Sequence, residues 1–147
     1  MTFKSHHMIT TLAIAYIIKD QLYEISPTVG SSMYPTFDII GDFVVLQKYN
    51  LDPCVGDVIA AKSPIEPFKL VLKRVLGREG DVVKIDPFDP NSKSVLVPKG
   101  KLWIVGDNLR FSRDSRDYGP IPLGLVHGKA IAKVIYIFSY IVWVFSF

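Results

Sequence analysis

The run Leu70-Val71-Leu72-Lys73-Arg74-Val75-Leu76 has the composition of a β-strand, yet two adjacent cations interrupt it. Strand parity puts Val71, Lys73 and Val75 on one face and Leu70, Leu72, Arg74 and Leu76 on the other, so each cation has aliphatic neighbours. Arginine stays charged in such a place, whereas a desolvated lysine can release its proton. At an ordinary pKa near ~10.4, only about one lysine in a few thousand is neutral at pH 7. Burial lowers that pKa by up to roughly 3–5. Apolar walls would therefore make Lys73 a general base, and Arg74, pointing away, would push weakly in the same direction. The plain structural alternative is that each cation snorkels or pairs with an acid.

A base needs a partner to deprotonate. Gly30-Ser31-Ser32-Met33-Tyr34-Pro35-Thr36 reads as a tight exposed turn, which either caps itself with its hydroxyls or presents a serine nucleophile. A third segment, Gly106 to Gly119, is a polar loop dense in side chains that bond backbone (GDNLRFSRDSRDYG). It lacks the alternating acids of a calcium loop, so no metal is expected there. His6, His7 and His127 are not placed with an acid in a triad pattern. The single cysteine, Cys54, follows Pro53 in a turn; it excludes an internal disulfide and an all-cysteine zinc site.

The elements that must position these groups read as strands. Gly-Asp recurs at Gly41-Asp42, Gly56-Asp57 and Gly80-Asp81, each copy opening a β-branched apolar run (FVVL, VIAA, VVKI). Glycine supplies positive φ and aspartate bonds its own backbone, so each pair predicts a turn feeding a strand. A fourth copy, Gly106-Asp107, instead closes the strand LWIV. In KAIAKVIY, alternation sets Ala130, Ala132, Val134 and Tyr136 against Lys129 and Lys133, predicting a last strand. No helical period is visible after residue 20, so the fold is predicted to be mainly β, an antiparallel, barrel-like sheet.

With 147 residues the chain has the length of one domain, and 49% hydrophobic against 21% charged residues excludes a disordered chain. Mean hydropathy of +0.27 reflects two apolar ends. Met8 to Ile18 is an 11-residue apolar run, short of the about 20 that a span needs, and predicts a short N-terminal helix that is either buried or membrane-anchored. Val134 to Phe147 carries no charge and predicts an aromatic tail that packs on the domain or enters lipid. The expected organisation is a membrane-associated segment over 1–24, a catalytic domain over 25–136 and a hydrophobic tail over 137–147. The net charge of +3 permits an anionic surface, but the cations are scattered and the aromatics cluster at the end, which argues against nucleic acid.

Three motifs in order, Ser-Met-x-Pro-Thr at Ser32 to Thr36, Lys-Arg-Val-x-Gly at Lys73 to Gly77 followed by Glu79-Gly80-Asp81, and Gly-Asp-Asn…Ser-x-Asp-Ser-Arg at Gly106 to Arg116, resemble the type I signal peptidases. Ser32 to Lys73 and Lys73 to Asp114 each span 41 residues, leaving no room for the large inserted domain of some bacterial members. The compact form is most similar to the mitochondrial members. The resemblance implies a serine endopeptidase with a Ser/Lys dyad and no cofactor or metal. It implies Ser32 as nucleophile, Lys73 as general base and Arg74 as the companion of that base. Asp114 and Arg116 would form an ion pair bracing the site, Ser112 would help orient the lysine, Met33 would line the site and Asp107 would organise the loop. Many bacterial relatives carry a serine two residues before the nucleophile as an oxyanion donor; Gly30 stands there, so the hole would lean on the Ser32 amide.

The resemblance further implies preprotein presequences as substrate, bound as an added strand along an exposed sheet edge. Membrane lipid and a second related subunit are the implied partners. The implied location is the mitochondrial inner membrane, with the catalytic domain facing the intermembrane space. A bacterial-type leader peptidase and a non-catalytic subunit of such a complex are the alternatives; the second would lack the nucleophile or the base, and both are present.

Overall fold

The computed structural model describes residues 21–66, 68–86, 88–137 and 140–144. The apolar run over 8–18, with its expected helix, and His6 and His7 lie outside them. Among the described residues no helix is long and apolar enough to cross a membrane.

The fold is mainly β. Strands β1 (Tyr23–Val29), β2 (Ile40–Gln47), β3 (Val58–Lys62), β4 (Leu70–Gly77), β7 (Lys101–Val105), β8 (Ile121–Pro122) and β9 (Val126–Ile137) form one sheet in the order β1-β2-β9-β3-β4-β7-β8, antiparallel throughout. A separate ribbon pairs β5 (Val82–Lys84) with β6 (Ser94–Leu96). Register shifts interrupt β1/β2, β2/β9, β3/β9 and β4/β7. Bulges of this kind bend strands and increase twist, which curls the sheet. Within the stretch where the sequence predicts an aromatic tail, Tyr140–Val144 form β10, antiparallel to β9.

Two bulges revise the sequence reading. Gly41-Asp42 does not precede β2 but lies inside it: Pro27 faces Phe43 and Val29 faces Ile40, so Thr28 opposes two residues. Gly41 takes φ 106 there, a conformation that disfavours other residues. The second bulge lies in β9, where Leu46 pairs with Ala130 but Val45 with Ala132. Neighbouring residues of β2 face opposite ways, so Ala130 and Ala132 do too, against the single face predicted from alternation. Lys133, opposite Val44, then shares the face of Ala130, while Lys129 lies on the other face.

Apolar residues fill both sides of the sheet. Met33, Phe37, Val44, Leu46, Val58 and Ala60 form one buried cluster, and Ile59, Ala61, Val75, Ile104 and Ile121 form a second. Because β3 contributes alternate residues to each, it is a central strand, and β4 lies beside it with Lys73 opposite Ile59 and Arg74 opposite Val58. The two cations thus point to opposite faces of a strand anchored in the middle of the core.

Candidate active site

The turn Ser31–Met33 is pinned at both ends. Gly30, at φ 117, donates its amide to the Ile39 carbonyl at 2.9 Å, and Met33 is buried in the first core cluster. The Phe37 amide closes back on the Met33 carbonyl at 2.9 Å. A serine between these anchors has little freedom. The Lys73 Nζ stands 2.8 Å from the Ser32 Oγ, within hydrogen-bond distance, and the lysine is 3% exposed.

Among the described residues no carboxylate is within ion-pair distance of Lys73, so the lysine does not take the structural alternative of pairing with an acid. Burial pushes its pKa down to about 8, with the cations of Lys69 and Arg116 adding to the effect and the charges of Asp114 and Asp107 opposing it. The expected contribution of Arg74 is replaced by these two neighbours, because Arg74 is neutralised where it stands. With a pKa of about 8, roughly a tenth of Lys73 is neutral at pH 7, against about one in a few thousand for a free lysine.

Arg74 follows the bland reading of a paired cation. Its Nε and Nη2 grip the two oxygens of Asp107 at 2.8 and 2.7 Å, and its Nη1 donates to the Gly56 carbonyl at 2.7 Å. Thr36 adds a hydrogen bond to Asp107 at 2.5 Å. Burial alone would raise the Asp107 pKa, but the bonds from Arg74 and Thr36 outweigh it and hold the carboxyl below its ordinary range. This fork ties the strand of the lysine to the segment after the serine turn and to the polar loop.

Asp114 is fully buried and fully answered. It receives the Gly106 amide at 3.0 Å, the Ser112 hydroxyl at 2.5 Å, and the Arg116 amide and guanidinium at 3.2 and 2.8 Å. Again burial pushes its pKa up and the hydrogen bonds, Arg116 foremost, bring it below the ordinary value. As N-cap of the short helix α1 (Ser115–Tyr118), Asp114 also forms a capping box with Asp117. Ser112 is expected to help orient the lysine; its hydroxyl proton goes to Asp114, which leaves the oxygen able to accept.

Three contributors lack a role in the sequence reading. Gly106 has no room for a side chain: a Cβ would come within 2.5 Å of the Ser32 carbonyl. Asn108 donates its backbone amide to that carbonyl and its side-chain Nδ2 to the Ser31 carbonyl, both at 3.0 Å. Thr36 holds Asp107. All three lie in the quoted motifs, and their signal was a hydroxyl, an amide and a glycine set in otherwise turn-forming sequence. His127 lies apart, paired with Glu24 at 2.9 Å, and Cys54 is exposed.

An open cleft of about 540 Å³ leads to the serine and the lysine, bordered by Ser26 to Gly30 on one side and Lys69 to Leu72 on the other. Among the described residues both borders include strand edges with no further strand paired to them. β1 ends the sheet, and β4 pairs with β7 only from Arg74 onward. No group of histidine, cysteine or acidic residues able to hold a metal occurs among the described residues.

The family model described as signal peptidase, peptidase S26, matches residues 3–89 and 84–136. The chain is 39% identical over 126 residues to mitochondrial inner membrane protease subunit 1 of Schizosaccharomyces pombe, covering 83% of this chain and 80% of that protein. It is 35% identical over 137 residues to mitochondrial inner membrane protease subunit 2 of Danio rerio, covering 88% and 69%. A signal peptidase I of known structure from Enterococcus faecalis overlaps with a TM-score of 0.44 at 22% identity, over 52% of this chain and 95% of that one.

Proposed function

The chain belongs to the signal peptidase family, peptidase S26, and on that premise we propose that it removes N-terminal sorting presequences at the mitochondrial inner membrane. In this reading Ser32 is the nucleophile and Lys73 the general base. The observation that carries it is the 2.8 Å contact between the Ser32 Oγ and a buried lysine whose pKa is about 8. The membrane assignment draws on the names of the relatives, and the orientation toward the intermembrane space is part of the same proposal. That relatives are named as subunits 1 and 2 supports a second, related chain as partner.

A substrate strand laid in the cleft can pair with the free backbone of β1 and of the first half of β4, which presents the scissile carbonyl to Ser32. Neutral Lys73 removes the hydroxyl proton as Oγ attacks. The oxyanion that forms is met by the Ser32 amide, since the Gly30 amide is committed to Ile39. Protonated Lys73 gives its proton to the leaving amine, and water then hydrolyses the ester with Lys73 again as base. Asp107 with Arg74 and Asp114 with Arg116 hold the loop against the serine turn, and Met33 anchors that turn from below. The catalytic unit is the domain over 25–136.

The test is cleavage of a presequence-bearing peptide by the purified chain with its partner subunit. Ser32→Ala should reduce turnover to background, a loss of about 10⁴-fold or more, with the fold intact by circular dichroism. Turnover retained in that variant would remove Ser32 from the mechanism.

A further inference from the structure

Gly30 leaves the serine turn without a side chain to assist the oxyanion, which puts the demand on one backbone amide. What aims that amide is the orientation of the peptide plane joining Ser31 to Ser32. A peptide is planar and trans, so its carbonyl and its N–H point in opposite directions and fixing one fixes the other. The Ser31 carbonyl receives two donors, the Asn108 Nδ2 at 3.0 Å and the Tyr34 amide at 3.3 Å. Among the described residues no acceptor takes the Ser32 amide itself. An unpaired N–H at the mouth of a cleft, on a peptide whose opposite end is held, is what an oxyanion donor requires.

We propose that Asn108 is a positioning residue for the oxyanion hole, acting through the Ser31–Ser32 peptide to aim and polarise the Ser32 amide. The proposal rests on Ser32 being the nucleophile and deepens that reading. Hydrogen bonds in series strengthen one another, so a donor on the Ser31 carbonyl makes the N–H of the same peptide a better donor to a developing negative charge. The Asn108 backbone amide meanwhile holds the Ser32 carbonyl, one peptide further on, at 3.0 Å. The side chain and main chain of one residue therefore fix the two peptides flanking the nucleophile. Only the side-chain bond is lost on substitution, which makes the role separable. The loop can serve this purpose because Gly106 lets it approach the turn and the Asp107 fork with Arg74 and Thr36 locks it there.

The test compares wild type, Asn108→Ala and Asn108→Asp in peptide cleavage with the partner subunit present. Asn108→Asp keeps the shape but sets a carboxylate against the Ser31 carbonyl. Losing an oxyanion donor outright costs about 10²–10³ in rate, so a donor left in place but poorly aimed should cost about 10–100-fold in kcat for alanine and more for aspartate. KM should stay within about twofold. The inhibition constant of a peptide aldehyde, whose adduct carries the oxyanion, should weaken in parallel with kcat, while the acid limb of the pH profile stays that of wild type. An unchanged kcat in both variants, or a loss without matching weakening of the aldehyde, overturns the role of Asn108. If wild type itself cleaves independently of Ser32, the underlying reading fails instead, and that arm is read from Ser32→Ala in the same assay.

Discussion

Lys73 and Arg74 are neighbours on one strand and meet opposite fates. Arg74 lies on a face where a carboxylate, a hydroxyl and a backbone carbonyl converge, and its charge is fully answered. Lys73 lies on the other face, 3% exposed, with a serine hydroxyl at 2.8 Å and, among the described residues, no carboxylate in contact. A buried cation with partners is a fastening; one without them is under pressure to give up its proton. The residue types suit the division, since guanidinium binds carboxylate in a fork and cannot be a base, while an amine loses its proton readily when desolvated.

The largest effect should come from making the two faces alike. Lys73→Arg should reduce peptide cleavage by about 10⁴-fold or more, because the guanidinium remains charged. Activity surviving in that variant would place the base elsewhere. Lys73→Met should be equally inactive yet more stable, by about 3 kcal/mol at pH 7 in chemical denaturation, since wild type carries the cost of a charge under burial. The sign follows from a folded pKa of about 8 lying below the unfolded value near 10.5: between them the unfolded chain binds more protons, so wild-type stability rises with pH. The advantage of methionine should therefore be full below pH 8 and disappear as pH climbs toward 10.5. A variant less stable than wild type at pH 7 would mean that the lysine is better satisfied than its contacts indicate.

On the other face the effect should be smaller and opposite in sign. Asp107→Asn leaves Arg74 without its carboxylate and should cost about 1–3 kcal/mol of stability at neutral pH. Because the Asp107 pKa is depressed on folding, this contribution is present above the ordinary carboxylate range and is lost as pH falls through the lower folded value. Wild type and variant should converge in denaturation midpoint at acid pH; a gap that persists there would assign the loss to packing rather than charge. The smallest effect belongs to the rim. Lys69, exposed and paired with Glu66 at 2.9 Å, helps to hold the Lys73 pKa down. Lys69→Gln should leave stability within about 0.5 kcal/mol and move the acid limb of kcat/KM to slightly higher pH. A shift to lower pH would contradict the account.

Much of this was legible in the sequence, for identifiable reasons. The β class followed from turn chemistry at Gly56-Asp57 and Gly80-Asp81, where positive φ does occur. The oddity of two cations in a strand pointed to Lys73 and Arg74 because burial makes such residues costly wherever they are not used. What alternation could not reveal were the bulges: one extra residue at Gly41 or at Ile131 reverses every face beyond it, and no local pattern announces that. The partners of the loop were equally hidden. Asp107, Ser112 and Asn108 belong to one motif, but which partner each finds depends on segments more than thirty residues away, or in the case of Ser112 on an acid two positions on.

The central claim concerns a proton on one nitrogen, and it can be measured there. In the chain labelled with 13C at lysine Cε, the Lys73 resonance, identified by its absence in Lys73→Met, is followed by NMR from pH 6 to 12. The account predicts a midpoint near 8. A midpoint near 10.5 would contradict it.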